Sequence, residues 1–196
     1  LAKVIALTQP SFTSAVPTIL NDLLQLHAKA PLDLSSFRVI VSGGSAVSPA
    51  LIKRVRDAWG IDVIQGWGMT ETSPMCVLSF PPRDAGPEEA LIWQAKSGRP
   101  VAGMEVRIVD DADQPLAEDG QTIGHLQLRG PWVTAGYHLQ SEGDGSLSPD
   151  GWLRTGDAGT IDTLGYVQIT DRTKDLIKSG GEWISSVDLE NDISRF

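Results

Sequence analysis

Apolar and polar positions follow two rhythms along this chain, and the rhythm changes partway. Over 14–30, "SAVPTILNDLLQLHAKA" sets Ile19, Leu20, Leu23, Leu24 and Leu26 at near-helical spacing, with Pro17 suited to a first turn. "SPALIKRVRDAWG" (48–60) predicts a second helix, with Ser48 as N-cap, Pro49 at the first helical position and Gly60 as its stop. Around that helix lie short β-branched runs that end on glycine, "FRVIVSGG" and "IDVIQGWG", which read as buried strands. Strand, helix and strand in that order predict a parallel α/β layer with the site at the loops beyond the strand ends.

After about residue 80 the pattern shifts. "PPRDAGPEEA" reads as a linker, being rich in Pro, Gly and charge. From 97 to 171 only short strand candidates appear, "MEVRIVD", "GHLQLRG", "GWLRTGD" and "GYVQITD", separated by Asp/Gly turns. They predict an antiparallel sheet or small barrel. "SEGDGSLSPDG" (141–151) reads as a solvated loop, and "DRTKDLIKSGGEWISSVDLEN" returns to mixed character as if another small domain began there. Neither terminus reads as natural, which suggests a piece of a longer enzyme.

Composition narrows the partners. The formal net charge of -9 over 196 residues argues against a nucleic-acid surface and against an anionic membrane. It leaves a nucleotide open, because backbone N–H groups and one metal ion can hold phosphates. A single cysteine, Cys76, forms no intrachain disulfide and fits a reducing cytoplasm. No apolar run approaches the ~18 residues that a membrane-spanning helix needs.

The stretch "QGWGMTETSP" (65–74) concentrates unusual chemistry. Gly66 and Gly68 leave the faces of the Trp67 indole unobstructed, which suits stacking on a purine. Thr70 offers a hydroxyl to phosphate, and Glu71 a hard oxygen to Mg²⁺. On this stretch alone, a turn with a core Trp and a capping Thr accounts for the residues equally well. "VSGGSAVSP" (41–49) leaves a strand through glycines that allow close backbone approach to a ligand, and it is neither a Walker A loop nor a G-x-G-x-x-G fingerprint. A plain strand-to-helix turn explains it too. "LRTGD" places Asp157 after Gly156 at a strand end, where a carboxylate can accept from ribose hydroxyls, and "TDRTKD" supplies Arg172 as a fixed cation. An ordinary Asp turn and a solvated charged turn are the alternatives. His27, His125 and His138 lack metal-ligand spacing and read as structural.

The order of these motifs, rather than any one, carries a resemblance. "SGGS", "GWGMTETSP", "GHLQLRG", "GWLRTGD" and "DRTKDLIKSGGEWISSVDLEN" together resemble the adenylate-forming superfamily of acyl-CoA synthetases, luciferases and peptide-synthetase adenylation domains. "KSGGEWISS" is most similar to medium- and long-chain fatty-acyl-CoA ligases. The resemblance implies an α/β fold: the later part of the AMP-binding domain at 1–90, its small antiparallel β-rich subdomain at 91–173, and the hinge with the start of an α+β C-terminal domain at 174–196. It implies an acid–thiol ligase that forms an acyl-adenylate from a carboxylic (fatty) acid and ATP, with release of pyrophosphate, and then an acyl-CoA with release of AMP.

The same resemblance implies roles for particular residues. Gly43, Gly44 and Ser45 border the adenine, and Trp67 stacks on it within the binding run of Gly66, Gly68 and Met69. Thr70 touches phosphate, Glu71 holds Mg²⁺, and Asp157 binds the ribose hydroxyls with Arg172 beside it. Gly66 also walls the acyl pocket, Lys174 is the hinge, and Gly180 and Gly181 approach the pantetheine of coenzyme A. Family members often carry Tyr where this chain has Trp67. The family's phosphate loop and C-terminal lysine are absent, so the polypeptide alone is expected not to catalyse adenylation. Two alternatives stay open: transfer to a carrier-protein thiol, and a non-catalytic nucleotide-binding remnant.

Overall fold

A computed structural model describes residues 1–138, 145–175, 177–179 and 182–184. Chain contacts divide it into two compact units, the first made of Leu1–Gly68 and Met75–Arg99, the second of Met69–Pro74 and the chain from Pro100 onward.

The first unit is an α/β layer. Strands β1 (Phe12–Ala15), β2 (Val39–Ser42) and β3 (Asp62–Gly68) run parallel, β4 (Met75–Leu78) joins β3 antiparallel, and the two-residue β5 (Arg99–Pro100) completes the order β1-β2-β3-β4-β5. Helices α1 (Ala2–Thr8), α2 (Pro17–Lys29), α3 (Pro49–Trp59) and α4 (Pro87–Ala95) alternate with them. Ile40 of β2 and Val63 of β3, register partners, pack with Leu20 and Leu24 of α2 and Leu51, Ile52 and Val55 of α3 in one core. Full burial of each such side chain stabilises the unit by about 1.5–3 kcal/mol before entropy is counted.

Helix α3 forms as its sequence directs. The Ser48 Oγ accepts from the Leu51 N–H at 3.2 Å, Pro49 opens the helix, and Gly60 closes it in the left-handed region at φ 68°. Helix α2 differs in its stripe: Leu20, Leu23 and Leu24 are buried, whereas Ile19 and Leu26 are exposed at 38% and 43%. The expected linker also proves partly helical. Pro87 starts α4 with Glu88 and Glu89 in the first turn, where carboxylates favour the helix dipole, and the apolar residues follow only afterwards.

In the second unit, β6 (Glu105–Val109), β7 (Gly124–Arg129), β8 (Leu153–Ile161) and β9 (Val167–Arg172) form an antiparallel sheet in chain order. Ile108, Leu126, Leu128, Leu153 and Val167 are buried. Facing polar positions form a cross-strand row of Arg107, Gln127 and Arg154, with Arg107 and Arg129 at 4.4 and 4.5 Å from the Trp152 ring. A short hairpin of β10 (Ile177–Ser179) and β11 (Glu182–Ile184) follows. The first part of the expected solvated loop, 141–144, lies outside the described residues, as do Gly180 and Gly181 and the chain from 185 on.

Strand β8 is longer than "GWLRTGD" suggested, and this moves Asp157 from a strand end to its middle. Ala158, Gly159, Thr160 and Ile161 keep pairing with β9, as β-branched and small residues allow. Opposite β7 the ladder breaks. Gln127 pairs with Arg154 and His125 with Ala158, so one β7 residue, Leu126, faces Thr155, Gly156 and Asp157. Gly156 takes φ 74° at this bulge, a conformation that disfavours any side chain.

Candidate functional site

Gly43, Gly44, Ser45, Gly66, Trp67 and Gly68 belong to the first unit, and Met69, Thr70, Glu71, Asp157, Arg172 and Lys174 to the second. In the first unit, the parallel pairing of Ser42 with Gln65 sets Gly43 beside Gly66. A Cβ on Gly43 would lie 2.8 Å from the Gly66 carbonyl oxygen, so only glycine leaves β2 this close to β3. Gly44 follows at φ 84°, and Gly44 and Ser45 are exposed. The turn is fixed from beneath, because the Gln65 Oε1 accepts from the Val47 N–H at 2.6 Å. These contacts hold a bare, solvent-facing backbone ahead of α3.

Gly66 is buried, and its missing side chain is replaced by neighbours: a Cβ there would meet the Met75 Sδ at 2.8 Å and a Leu78 methyl at 3.1 Å. The space beside Gly66 is therefore filled by flexible, apolar side chains. Trp67 pairs with Val77, keeps 9% of its surface, and its carbonyl accepts from the fully buried Cys76 thiol at 3.1 Å. Cys76 is thus a buried small residue.

In the second unit, Thr70–Thr72 form a single 3-10 turn. Its geometry is set by Thr72, which is buried; its hydroxyl accepts from the Met69 N–H at 2.9 Å and lies 2.7 Å from the Pro74 carbonyl. Thr70 is exposed on this turn and Glu71 half-buried. The Glu71 Oε1 accepts from the Tyr137 hydroxyl at 2.7 Å, and the Glu71 carbonyl accepts from the Thr134 N–H at 2.8 Å. Tyr137 and Thr134 escaped sequence reasoning: they stand more than 60 positions from Glu71, and only the aromatic in "TAGYH" after a strand hints at them.

At the β8 bulge, the Asp157 N–H donates to the Thr155 Oγ1 at 3.0 Å, and the Thr155 hydroxyl donates to the Leu126 carbonyl at 2.8 Å. The carboxylate of Asp157 meets the Arg172 Nε at 3.0 Å. Lys174 is exposed in the turn that follows, where the Asp175 N–H donates to the Arg172 carbonyl at 2.9 Å. The histidines that read as structural include His27, whose Nδ1 accepts from Leu32 and from the Trp59 indole, and His125, which meets Asp111 at 2.8 Å.

Among the described residues no group of three or more His, Cys, Asp or Glu gathers to hold a metal. A single hard carboxylate on an exposed turn, such as Glu71, fits Mg²⁺ that takes its other ligands from phosphate and water, and does not fit a protein-caged ion. No helix of the described residues is long and apolar enough to cross a membrane.

The sheets and helices are those of adenylate-forming enzyme N-terminal domains among solved structures. The profile of the AMP-binding enzyme family matches residues 1–138, and the chain belongs to that family. It is 45% identical over 185 residues to the long-chain-fatty-acid–CoA ligase of Thermus thermophilus, covering 92% of this chain and 34% of the relative. It is likewise 45% identical over 179 residues to the 3-methylmercaptopropionyl-CoA ligase of Ruegeria lacuscaerulensis, covering 90% and 33%. The O-succinylbenzoate–CoA synthetase of Bacillus subtilis, solved with ATP and magnesium ion, superposes with a TM-score of 0.80 at 31% identity, over 96% of this chain and 37% of that one. The chain spans about a third of the length of the curated relatives it matches.

Proposed function

We propose that this chain serves an AMP-forming acyl-CoA ligase, supplying the later part of its AMP-binding domain (1–90 and 91–173) and, from 174, its hinge. The enzyme activates a carboxylic acid with ATP and passes the acyl group to coenzyme A. The observation that carries this reading is the 45% identity to a fatty-acid ligase through 185 residues, which takes in both units.

Each residue has a part in that reading. Gly43, Gly44 and Ser45 give the nucleotide base a backbone edge, and Trp67, with little exposed surface, gives it an aromatic wall. Thr70 donates to a phosphate oxygen. Glu71 holds Mg²⁺, which when bound supplies positive charge against the phosphate oxygens as the acid attacks. Asp157 accepts from the ribose hydroxyls, its carboxylate held in place by Arg172. No protein nucleophile is required, because positioning and charge neutralisation dominate this kind of transfer. Relatives of equal identity take different acids, so the acid is argued from the wall itself. Met75 and Leu78 at Gly66 favour an apolar acyl tail, hence a fatty acid.

The test is a panel of fatty, thioether and aromatic acids given to the intact enzyme with ATP, Mg²⁺ and CoA, following AMP and thioester. Preference for alkyl acids with CoA-dependent AMP release is expected. Adenylate that transfers only to a carrier-protein thiol would replace CoA as acceptor, and no acid-dependent AMP release at all would sink the proposal.

A further inference from the structure

The short turn that carries Thr70 and Glu71 is gripped by one distant segment of the second unit. The Ser73 hydroxyl donates to the Trp132 carbonyl at 3.3 Å, the Thr134 N–H donates to the Glu71 carbonyl at 2.8 Å, and the Tyr137 hydroxyl donates to the Glu71 Oε1 at 2.7 Å. The gripping segment is itself tied: the Val133 N–H donates to the Gly130 carbonyl at 3.2 Å, and the Thr134 hydroxyl donates to the Gly136 carbonyl at 2.9 Å. Two of the grips go to backbone or to Ser73. The grip of Tyr137 goes to the charged end of Glu71.

From this geometry we propose that Tyr137 is a positioning residue for metal binding, holding the Glu71 carboxylate in one orientation through Oε1 so that Oε2 is presented to the nucleotide-bound divalent cation. This rests on the reading of Glu71 as the Mg²⁺ ligand given above. A free Glu side chain samples several rotamers about its sp³ bonds, and fixing it beforehand removes an ordering cost from each binding event. A phenol suits the task, since its O–H is a donor on a rigid ring and carries no charge to compete with the cation. Ligating carboxylates are commonly oriented by such hydrogen bonds, and losing the partner weakens metal affinity on the order of tenfold. Tyr137 keeps 42% of its surface exposed, so little packing is lost if the hydroxyl alone is removed.

The experiment uses the intact enzyme with Mn²⁺ as the probe. Mn²⁺ binding is read by electron paramagnetic resonance in the presence of ATP, and ATP binding is read separately in EDTA. Tyr137→Phe should weaken Mn²⁺ binding on the order of tenfold, leave ATP affinity in EDTA unchanged, and leave the melting temperature at its parent value. Glu71→Gln should lose Mn²⁺ binding in either background, so that Tyr137→Phe adds nothing to it. If Tyr137→Phe binds Mn²⁺ as the parent does while Glu71→Gln does not, the positioning role is overturned and the metal role of Glu71 stands. If Glu71→Gln also binds Mn²⁺ normally, both fall. Equal loss of ATP affinity in EDTA and of Mn²⁺ binding in Tyr137→Phe marks a merely structural residue and overturns the proposal as well.

Discussion

Asp157 and Arg172 face each other as register partners across β8 and β9, Nε to carboxylate oxygen at 3.0 Å, the aspartate side chain 8% exposed and the arginine 55%. The asymmetry separates the two roles. A pair with one partner this exposed adds at most about 1 kcal/mol to stability. Its larger effect is to hold the carboxylate of Asp157 in one position at the bulge.

Changing Asp157 to Asn should therefore cost the fold little and the nucleotide much. In the intact enzyme, calorimetric titration should show ATP affinity down on the order of tenfold, the equivalent of about 1.4 kcal/mol. A dideoxy analogue of ATP, which lacks both ribose hydroxyls, should bind parent and variant alike. An equal loss for ATP and the analogue would detach Asp157 from the ribose.

Glycine substitutions should sort by what their Cβ meets. Gly43→Ala drives a methyl to 2.8 Å from a backbone oxygen of Gly66, which cannot swing away. Overpacking of this kind costs about 1–3 kcal/mol, read as a lower urea midpoint. Gly66→Ala meets the Met75 Sδ at 2.8 Å and its Cε at 3.0 Å, and that flexible side chain can yield. Its stability loss should be smaller, with the penalty falling instead on the longest acids in a chain-length series. A greater stability loss for Gly66→Ala than for Gly43→Ala contradicts this ordering.

Local signals were legible wherever one segment decides its own structure. Ser48, Pro49 and Gly60 delimit α3 as their chemistry dictates, and the glycine-ended runs became β2 and β3. What the sequence hid depends on pairing. β4 has no polar alternation and exists because it completes the edge of β3. The bulge at Gly156 becomes visible only when β7 is laid beside β8. Of the candidate residues, Gly43 with Gly66 and Asp157 with Arg172 were named from their own motifs and stand together in the fold. Tyr137 was not named, since a tyrosine after a strand carries no trace of the glutamate it meets.

Lys174 sits exposed in the turn after β9, where a backbone change meets little packing. If the turn is the hinge between half-reactions, Lys174→Pro in the intact enzyme should leave ATP–pyrophosphate exchange within a few-fold of the parent and slow thioester formation far more, since fixing φ restricts rotation there. Equal losses in both half-reactions rule the hinge out.

Acid should weaken the second unit through Asp150. The Arg107 guanidinium, followed by the Ser148 hydroxyl, holds its carboxyl down at about 2 from an ordinary 3.8. The folded pKa lies below the unfolded one, so the folded form binds fewer protons across that window. Its contribution is complete above 3.8 and is lost as pH falls through about 2. Protonation also weakens the hold on Arg107, whose guanidinium meets Asp150 at 2.7 Å, donates to the Gln127 Oε1 at 2.7 Å and lies 4.4 Å from the Trp152 ring. Urea midpoints of parent and Asp150→Asn should then converge as pH drops through this window, with the parent more stable above it. A stability difference that stays constant from neutral pH down through the window would show that the Arg107 pair contributes nothing through its charge.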